Sequence, residues 1–186
     1  MALTFRYHGI AAAELEASRE LAKEAGVNDH RFVRLPDLRE SAEIGGRLRL
    51  MPPTYIPSRN AVFYSLAGGL AEEIGADLVI GGHNRDDSGR LSDARPEFFS
   101  QLSRALRSGS KALSKRRFRV ALPLSGKTKP EVVKLAAMSG VPLGMTWSCH
   151  KGGPMHCWDC PGCQGRVVSF MAAGVADPLR QKVTLR

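Results

Sequence analysis

Hydrophobic and polar positions in the first third of the chain change between the spacing of strands and that of helices. Residues 2–7 predict a strand, and residues 31–35 predict a second strand that ends before a proline. Between them, residues 11–25 place Ala and Leu near one helical face, and Gly26 is a typical helix end. The glycines and prolines of residues 36–58 indicate a loop.

The rest of the chain continues this alternation, with glycines and prolines at the expected boundaries. Strands that alternate with helices are typical of a parallel α/β layer fold, in which ligands bind at the carboxyl ends of the strands. The predicted elements are a helix that Asn60 caps and Gly75 ends, a strand over residues 77–80 that runs into Gly81 and Gly82, a helix opened by Pro96 and Glu97, a strand over residues 119–122, and a helix that the capping box Thr128–Glu131 starts and Gly140 ends.

Polar residues follow the predicted strand over residues 77–80, where such a fold would bind a ligand. Asn, Asp, Ser, Arg and Glu side chains there suit a small planar or anionic ligand, but the same residue types also form ordinary solvated turns. Near two helix starts, cations suit a phosphate or carboxylate. A plain surface residue is the favoured interpretation of the arginine, whereas the lysines oppose the helix dipole and so hint at an anion. The residues concerned are Asn84, Asp86, Asp87, Ser88, Asp93, Arg95 and Glu97 after the strand, and Arg59, Lys127 and Lys129 near the helix starts.

All four cysteines lie in a 15-residue stretch, at Cys149, Cys157, Cys160 and Cys163. Thiols gathered in this way predict a metal site, with structural zinc favoured over an iron–sulfur cluster. Disulfides are the further alternative, but they need an oxidising compartment that nothing in the sequence indicates. His150 and His156 could each replace a sulfur, although four cysteines already complete a tetrahedral shell. Such a closed shell predicts structure rather than a reaction.

The composition of the chain narrows the class of protein and the kinds of partner that the sequence predicts. The chain has 186 residues with 43% hydrophobic and 24% charged residues, as in a soluble globular protein, without a membrane-length apolar run or a visible secretion signal, so we expect a cytoplasmic protein. We expect an α/β domain over residues 1–145 and a metal lobe with a C-terminal helix and tail over residues 146–186.

The formal charge of +9 favours a polyanionic partner or a surface kept soluble by charge. Because residues 104–119 are basic but carry only one aromatic side chain, Phe118, a single-strand stacking platform is not indicated.

Several of these segments together resemble the 7-cyano-7-deazaguanine synthase family, over about residues 2–170. The Trp-Ser-Cys motif and the three cysteines that follow it are the most specific part. The matching segments are Tyr55–Asn60, Val79–Asn84 with Asp86–Gly89, Arg95–Phe98, Pro123–Leu124 with Thr128–Lys129, and Thr146–Cys149 through Cys163.

The resemblance implies a nucleotide-binding α/β fold of the PP-loop ATPase type, also described as adenine nucleotide alpha hydrolase-like, with a small C-terminal zinc lobe. It implies a ligase of queuosine and archaeosine precursor synthesis, and so of tRNA modification, that forms a nitrile from 7-carboxy-7-deazaguanine and ammonia with ATP as co-substrate. By the resemblance, Asn84, Asp86, Ser88, Arg95 and Glu97 border the deazapurine pocket, Arg59, Asn60 and Lys129 lie nearest the ATP phosphates, and Cys149, Cys157, Cys160 and Cys163 hold zinc.

The sequence departs from the family at its start, because residues 2–7 correspond to the family's second strand. The first strand and the S-G-G-x-D-S loop that grips pyrophosphate have no counterpart. The chain is then truncated, completed by a separate chain that supplies the PP-loop, or no longer an ATP enzyme, and we expect no ATP turnover by this polypeptide alone. Two inner strand edges would be left unpaired, which a homodimer could cover.

Two other functions stay open on the sequence. One is a zinc-containing RNA-binding or scaffolding module derived from such an enzyme, which is the less favoured alternative. The other is a relative that adenylylates a different carboxylate, because Asp87 and Arg90 stand where aromatic residues are usual in the family.

Overall fold

Two separate pairs of parallel strands organise the fold. The computed structural model describes residues 1–7, 9–38, 48 and 55–181. These residues form two compact units, one drawn from Met1–Glu43 with Pro130–Arg186 and the other from Ile44–Lys129. Each unit contains one two-stranded parallel sheet. The predicted α/β class is therefore confirmed, while the predicted domain boundary between residues 145 and 146 stays a prediction.

In the first unit, strand β1 (Ala2–Arg6) pairs in parallel with β2 (His30–Arg34), and helix α1 (Ala12–Glu24) connects them. Helix α1 ends where Gly26 takes a left-handed conformation with φ of 68°, as the sequence predicts. The C-terminal part of this unit contains helix α6 (Pro161–Ala173) and the short helix α7 (Pro178–Gln181).

The second unit is built around strands β3 and β4 and the helices before and between them. A core cluster of Ala71, Leu113 and Phe118 packs between these elements, and the last two side chains are almost completely buried. The elements are α2 (Arg59–Ile74), β3 (Leu78–Ile80), α3 (Arg85–Arg90), α4 (Pro96–Gly109) and β4 (Arg119–Ala121), while α5 (Lys129–Met138) begins at the last residue of the unit.

Side chains of α4 cover the outer edge of β4. The Val120 N–H donates to Ser103 Oγ at 2.9 Å, and Arg107 Nη1 donates to the Phe118 carbonyl at 2.7 Å. These bonds satisfy backbone groups that a neighbouring strand would otherwise pair. Strand β4 is therefore closed on one side by α4 and on the other by β3.

The start of α2 corrects one prediction. Asn60 is not the N-cap; that residue is Ser58, in a left-handed conformation with φ of 54° and without a side-chain cap bond. Asn60 lies inside the helix and is buried, its N–H donates to Asp93 Oδ2, and its side-chain Nδ2 donates to the Asp93 carbonyl. A carboxylate 33 residues further along the chain thus satisfies the helix start, which local sequence could not reveal.

The segment after β3 is also more ordered than the predicted polar loop, because residues 85–90 form the short helix α3. Most of the predicted loop over residues 36–58 lies outside the described residues. Within the described residues, the helices are too short or too polar to cross a membrane.

Gly81 ends β3 and provides a test of the local packing. A Cβ atom at Gly81 would overlap Tyr64 Oη and lie 2.9 Å from Leu122 Cδ2, whereas a Cβ at Gly82 would meet nothing within 4 Å. We expect Gly81→Ala to lower the free energy of unfolding by about 1–3 kcal/mol through overpacking. Gly82→Ala should leave it within about 1 kcal/mol of the parent value. Urea unfolding of both variants checks this, and equal effects would contradict the packing.

Candidate functional site

Four cysteine sulfurs converge on one point in the C-terminal part of the first unit. The Sγ atoms of Cys149, Cys157, Cys160 and Cys163 all lie within 4.8 Å of one another. The Cys157–Cys163 and Cys149–Cys160 pairs are each 3.9 Å apart, and none of the four is in a disulfide. A tetrahedral site with metal–sulfur bonds of about 2.3 Å separates its sulfurs by about 3.8 Å. The four cysteines therefore lie close enough to hold one metal ion.

Backbone groups hold these sulfurs. The His150 N–H donates to Cys160 Sγ at 3.4 Å, and the Cys160 N–H donates to Cys157 Sγ at 3.3 Å. Cys160 also caps α6, so the positive end of that helix favours negative charge on its thiolate. The turn between Cys157 and Cys160 places Trp158 at a positive φ of 60°, which lets the two sulfurs face the same point.

Ionisation of the thiols is uneven. Burial alone would raise the pKa of Cys160, but hydrogen bonds from the His150 and Cys163 backbone and from neighbouring thiols lower it to about 6. Burial raises the pKa of Cys163 to about 12. Because thiolates are the metal ligands, a bound cation would supply the charge that lets the buried thiol lose its proton.

The two histidines of this segment are not part of the four-sulfur cluster. His156 is buried between Trp147 and Trp158, and its Nε2 accepts a hydrogen bond from the Ser148 N–H at 3.1 Å. Burial lowers the pKa of His156, which keeps the ring neutral and able to accept that bond. His150 is exposed.

A buried ion pair between Arg166 of α6 and Asp177 holds the chain around the four cysteines in place. Arg166 donates to both carboxylate oxygens of Asp177, at 2.7 and 2.8 Å, and both side chains are only 3% exposed. The same guanidinium donates to Thr146 Oγ1 and to the Leu143 carbonyl, so it also holds the chain just before Cys149. Burial alone would raise the pKa of Asp177, but the hydrogen bonds from Arg166 outweigh it and lower that pKa.

A second group of predicted site residues gathers in the other unit, at the carboxyl end of β3. Asn84 and Asp87 form a reciprocal capping box at the start of α3: Asn84 Oδ1 accepts from the Asp86 and Asp87 N–H groups, and Asp87 Oδ2 accepts from the Asn84 N–H. The side-chain oxygen of Asn84 is therefore committed to the backbone, which leaves its amide NH₂ as the group that can donate elsewhere.

Lys129 joins this group from the start of α5. Its N–H donates to Asp86 Oδ2 at 2.8 Å, and its Nζ lies 3.7 Å from Asp87 Oδ1. Two residues predicted for different ligands, Asp86 and Lys129, are thus in direct contact. The Lys129 side chain is 45% exposed, so its ammonium group can still reach an anion.

Ser88 and Arg95 are also brought together. Ser88 Oγ lies 3.2 Å from the Asn84 carbonyl and 3.0 Å from the Ala94 carbonyl, and Arg95 Nε donates to the Ser88 carbonyl at 3.3 Å. Ser88 therefore shapes the loop, while the terminal nitrogens of Arg95 remain exposed. Glu97 is exposed in the first turn of α4, and no described contact joins it to the other predicted residues.

Asp93, one of the polar residues predicted to suit a ligand, belongs to this group, and so does His83, for which no role was predicted from the sequence. The ring of His83 stacks on Phe99 with centroids 5.2 Å apart and also contacts Tyr64. Burial lowers the pKa of His83, although the carboxylates of Asp87 and Asp93 act in the opposite direction. The signals for His83 were its place in the matching segment Val79–Asn84 and its position directly before the capping residue of α3, but sequence alone did not distinguish it from a core histidine.

Comparison with known proteins identifies the family. A family model described as "Queuosine biosynthesis protein QueC" matches residues 1–174. The chain belongs to the QueC family.

The chain aligns with individual QueC relatives over most of their length. The chain is 35% identical over 190 residues to the 7-cyano-7-deazaguanine synthase of Thermoplasma volcanium, which covers 96% of this chain and 79% of that protein. It is 36% identical over 190 residues to the enzyme of the same name from Thermoplasma acidophilum, with the same coverage. It is 35% identical over 202 residues to that of Solidesulfovibrio magneticus, which covers 99% of this chain and 86% of that protein. The resemblance drawn from the motifs is therefore confirmed, whereas the roles of single residues stay predictions.

The metal site of this QueC-family chain can be tested by composition. We expect elemental analysis of the purified chain to find about one metal ion per chain. Cys163→Ala should lose the metal and unfold at least the C-terminal lobe, because structural metal sites contribute roughly 10–16 kcal/mol of apparent binding free energy. His150→Ala is the matched control and should keep the ion, since its side chain is exposed. A folded, metal-free Cys163→Ala chain would contradict this assignment.

The buried ion pair gives a second test. Asp177→Asn keeps the side-chain shape but leaves the Arg166 charge buried and uncompensated, so we expect a loss of about 3–5 kcal/mol in the free energy of unfolding. Asp159→Asn removes the partner of the exposed Lys151–Asp159 pair and should cost less than about 1 kcal/mol. Chemical denaturation measures the free energy of unfolding of both variants. Equal losses would show that the buried pair does not stabilise the fold more than the exposed pair does.

Proposed function

We propose that this chain takes part in the ATP-dependent conversion of 7-carboxy-7-deazaguanine and ammonia to 7-cyano-7-deazaguanine, with a structural zinc ion on the four cysteines. The observation that carries the proposal is the direct contact of Asp86 with Lys129 at the carboxyl end of β3, in a chain of the QueC family. Parallel α/β folds bind their ligands at that end of the strands. The product follows from the name of the relatives, 7-cyano-7-deazaguanine synthase.

The free atoms of this group suit the substrate. Among the described contacts, one carboxylate oxygen of Asp86 and the amide NH₂ of Asn84 have no partner, which provides one acceptor and one donor. A deazaguanine ring offers amine and ring N–H donors to such a carboxylate and a carbonyl acceptor to such an amide. The terminal nitrogens of Arg95 suit the substrate carboxylate as a two-pronged donor.

The cations of the group suit the nucleotide. Lys129 and Arg59 would neutralise the phosphates of ATP, with Asn60 held beside Arg59 by its bonds to Asp93. A carboxylate is a poor electrophile until one of its oxygens becomes a good leaving group, and adenylylation provides that group. The contribution of the protein is then to position the two reactants and to stabilise the developing charge.

The zinc assignment follows from the donor set. Four thiolates at the spacing of a single tetrahedral ion suit zinc, whereas a cluster would place several irons and sulfides between them and hold the thiolates further apart. The residues that would hold zinc are Cys149, Cys157, Cys160 and Cys163. Zinc bound by four sulfurs has no open position, so its role is to hold the fold of the lobe.

We further propose that turnover needs a strand and a pyrophosphate-gripping loop in addition to residues 1–186, from the same or another polypeptide. Parallel sheets are normally covered on both sides, yet Leu78 and Ile80 in β3 are 41% and 65% exposed. The Asp77 carbonyl and the Gly81 N–H both face β4, so by the alternation of a parallel ladder the backbone groups of Leu78 and Ile80 face the opposite edge. A further parallel strand beside β3 would pair these groups.

The activity assay compares this chain alone with the chain joined to a strand, S-G-G-x-D-S loop and helix at its N-terminus. Nitrile formation from 7-carboxy-7-deazaguanine, ATP and ammonia is followed by mass spectrometry. We expect product only from the completed chain, and a loss on the order of 100-fold for Asp86→Ala, because it removes a substrate contact and releases Lys129. Asp29→Ala, which alters only an exposed ion pair in the other unit, should retain activity.

Three outcomes would count against the proposal. ATP binding by the completed chain without nitrile formation would remove the substrate assignment and favour a relative that adenylylates another carboxylate. Product from the chain alone would remove the need for a further strand and loop. Full activity of Asp86→Ala would remove the assigned pocket.

A further inference from the structure

The second unit, which holds the group around Asp86 and Lys129, also contains a cleft of about 350 Å³ between α4 and β4. Its polar lining consists of arginine and serine side chains, and none of its lining residues belongs to the group around Asp86 and Lys129. These side chains are Ser100, Ser103, Arg104, Arg107, Arg119 and Ser125. Neither the family assignment nor the proposed reaction gives this cleft a role.

One wall of the cleft is rigidly built. Ser103 is 4% exposed, its hydroxyl donates to the Phe99 carbonyl at 2.6 Å, and it accepts from the Val120 N–H. Arg107 uses Nη1 to bind the Phe118 carbonyl, which fixes its guanidinium against β4 while leaving further N–H donors. The cleft therefore keeps its cationic wall without a ligand, and a ligand would not have to order it.

The charge of the cleft is unbalanced. Three guanidinium groups line it, and no carboxylate is among its lining residues. Arg104 and Arg119 are both exposed, and among the described residues neither has an ion-pair partner. Glu97 lies only in the adjoining depression, beside Gln101 and Arg104. Like charges that share one cleft repel each other, so an anion that binds between them lowers the energy of the site.

We propose that this cleft binds a phosphate ester. Guanidinium groups match phosphate oxygens as paired donors, and serine hydroxyls add single hydrogen bonds to the same oxygens. The volume is at the lower end of that of ligand sites, so it accepts a phosphate group together with part of the group it esterifies. The ester comes either from a small phosphorylated molecule or from the backbone of an RNA strand.

Titration of the full chain with inorganic phosphate, followed by calorimetry, tests the shared chemistry. We expect saturable binding that is about 100-fold weaker in the double variant Arg104→Ala with Arg119→Ala. Lys111→Ala with Lys115→Ala is the matched control, because it removes the same formal charge from exposed residues outside the cleft lining. Circular dichroism checks that both variants fold.

A second arm uses a ten-nucleotide single-stranded RNA at several salt concentrations. Binding that is lost only in the cleft variant and weakens steeply with salt identifies an RNA phosphate as the source. Phosphate binding that is lost only in the cleft variant, without such RNA binding, identifies a small phosphorylated molecule. Equal losses in the cleft and control variants, or no saturable binding of either probe, overturn the proposal.

Discussion

Mutual repulsion among the four cysteine sulfurs is the constraint on which the predicted C-terminal lobe, residues 146–186, depends. Negative charges on sulfurs this close repel each other, and the closest sulfur pairs are 3.9 Å apart. Without a cation, the lobe can hold this geometry only by keeping protons, which fits a thiol pKa of about 12 at Cys163 beside one of about 6 at Cys160. A metal ion removes the conflict, and the Arg166–Asp177 pair then fixes the surrounding chain.

The second unit faces a different constraint, which is how to satisfy the edges of a sheet of only two strands. Side chains of α4 bond to the outer edge of β4, and the same arrangement creates the cationic cleft. At the opposite edge, the backbone groups of Leu78 and Ile80 in β3 face away from β4, and both residues are exposed. The backbone groups at both edges of this sheet need hydrogen-bond partners. At β4 this need explains the wall of the proposed phosphate site, and at β3 it supports the proposal of a further strand.

The sequence predicted features whose cause is local. Helix ends at Gly26, Gly75 and Gly140 could be recognised because left-handed backbone there favours glycine, and all three have φ near 70°. The cysteine cluster could be recognised from spacing alone. The prediction that Asn60 caps α2 was wrong, because Asp93, distant in sequence, satisfies that helix start. Helix α3 was missed since its five polar residues and one glycine carry no apolar period, although its Asn84–Asp87 capping pair was present in the sequence.

The same limit applies to the candidate site, where sequence names the residues but not which of their atoms remain free. Asn84 Oδ1 and the Ser88 hydroxyl are engaged by the backbone, so these residues shape the loop at least as much as they offer atoms to a ligand. One oxygen of Asp86 and the ammonium of Lys129 remain available beside them. Since hydrogen-bond capacity is fixed for each side chain, the chemistry of the pocket is set by what the fold leaves unused. The proposed recognition of the substrate therefore depends on α3 being capped, and not only on the presence of its polar residues.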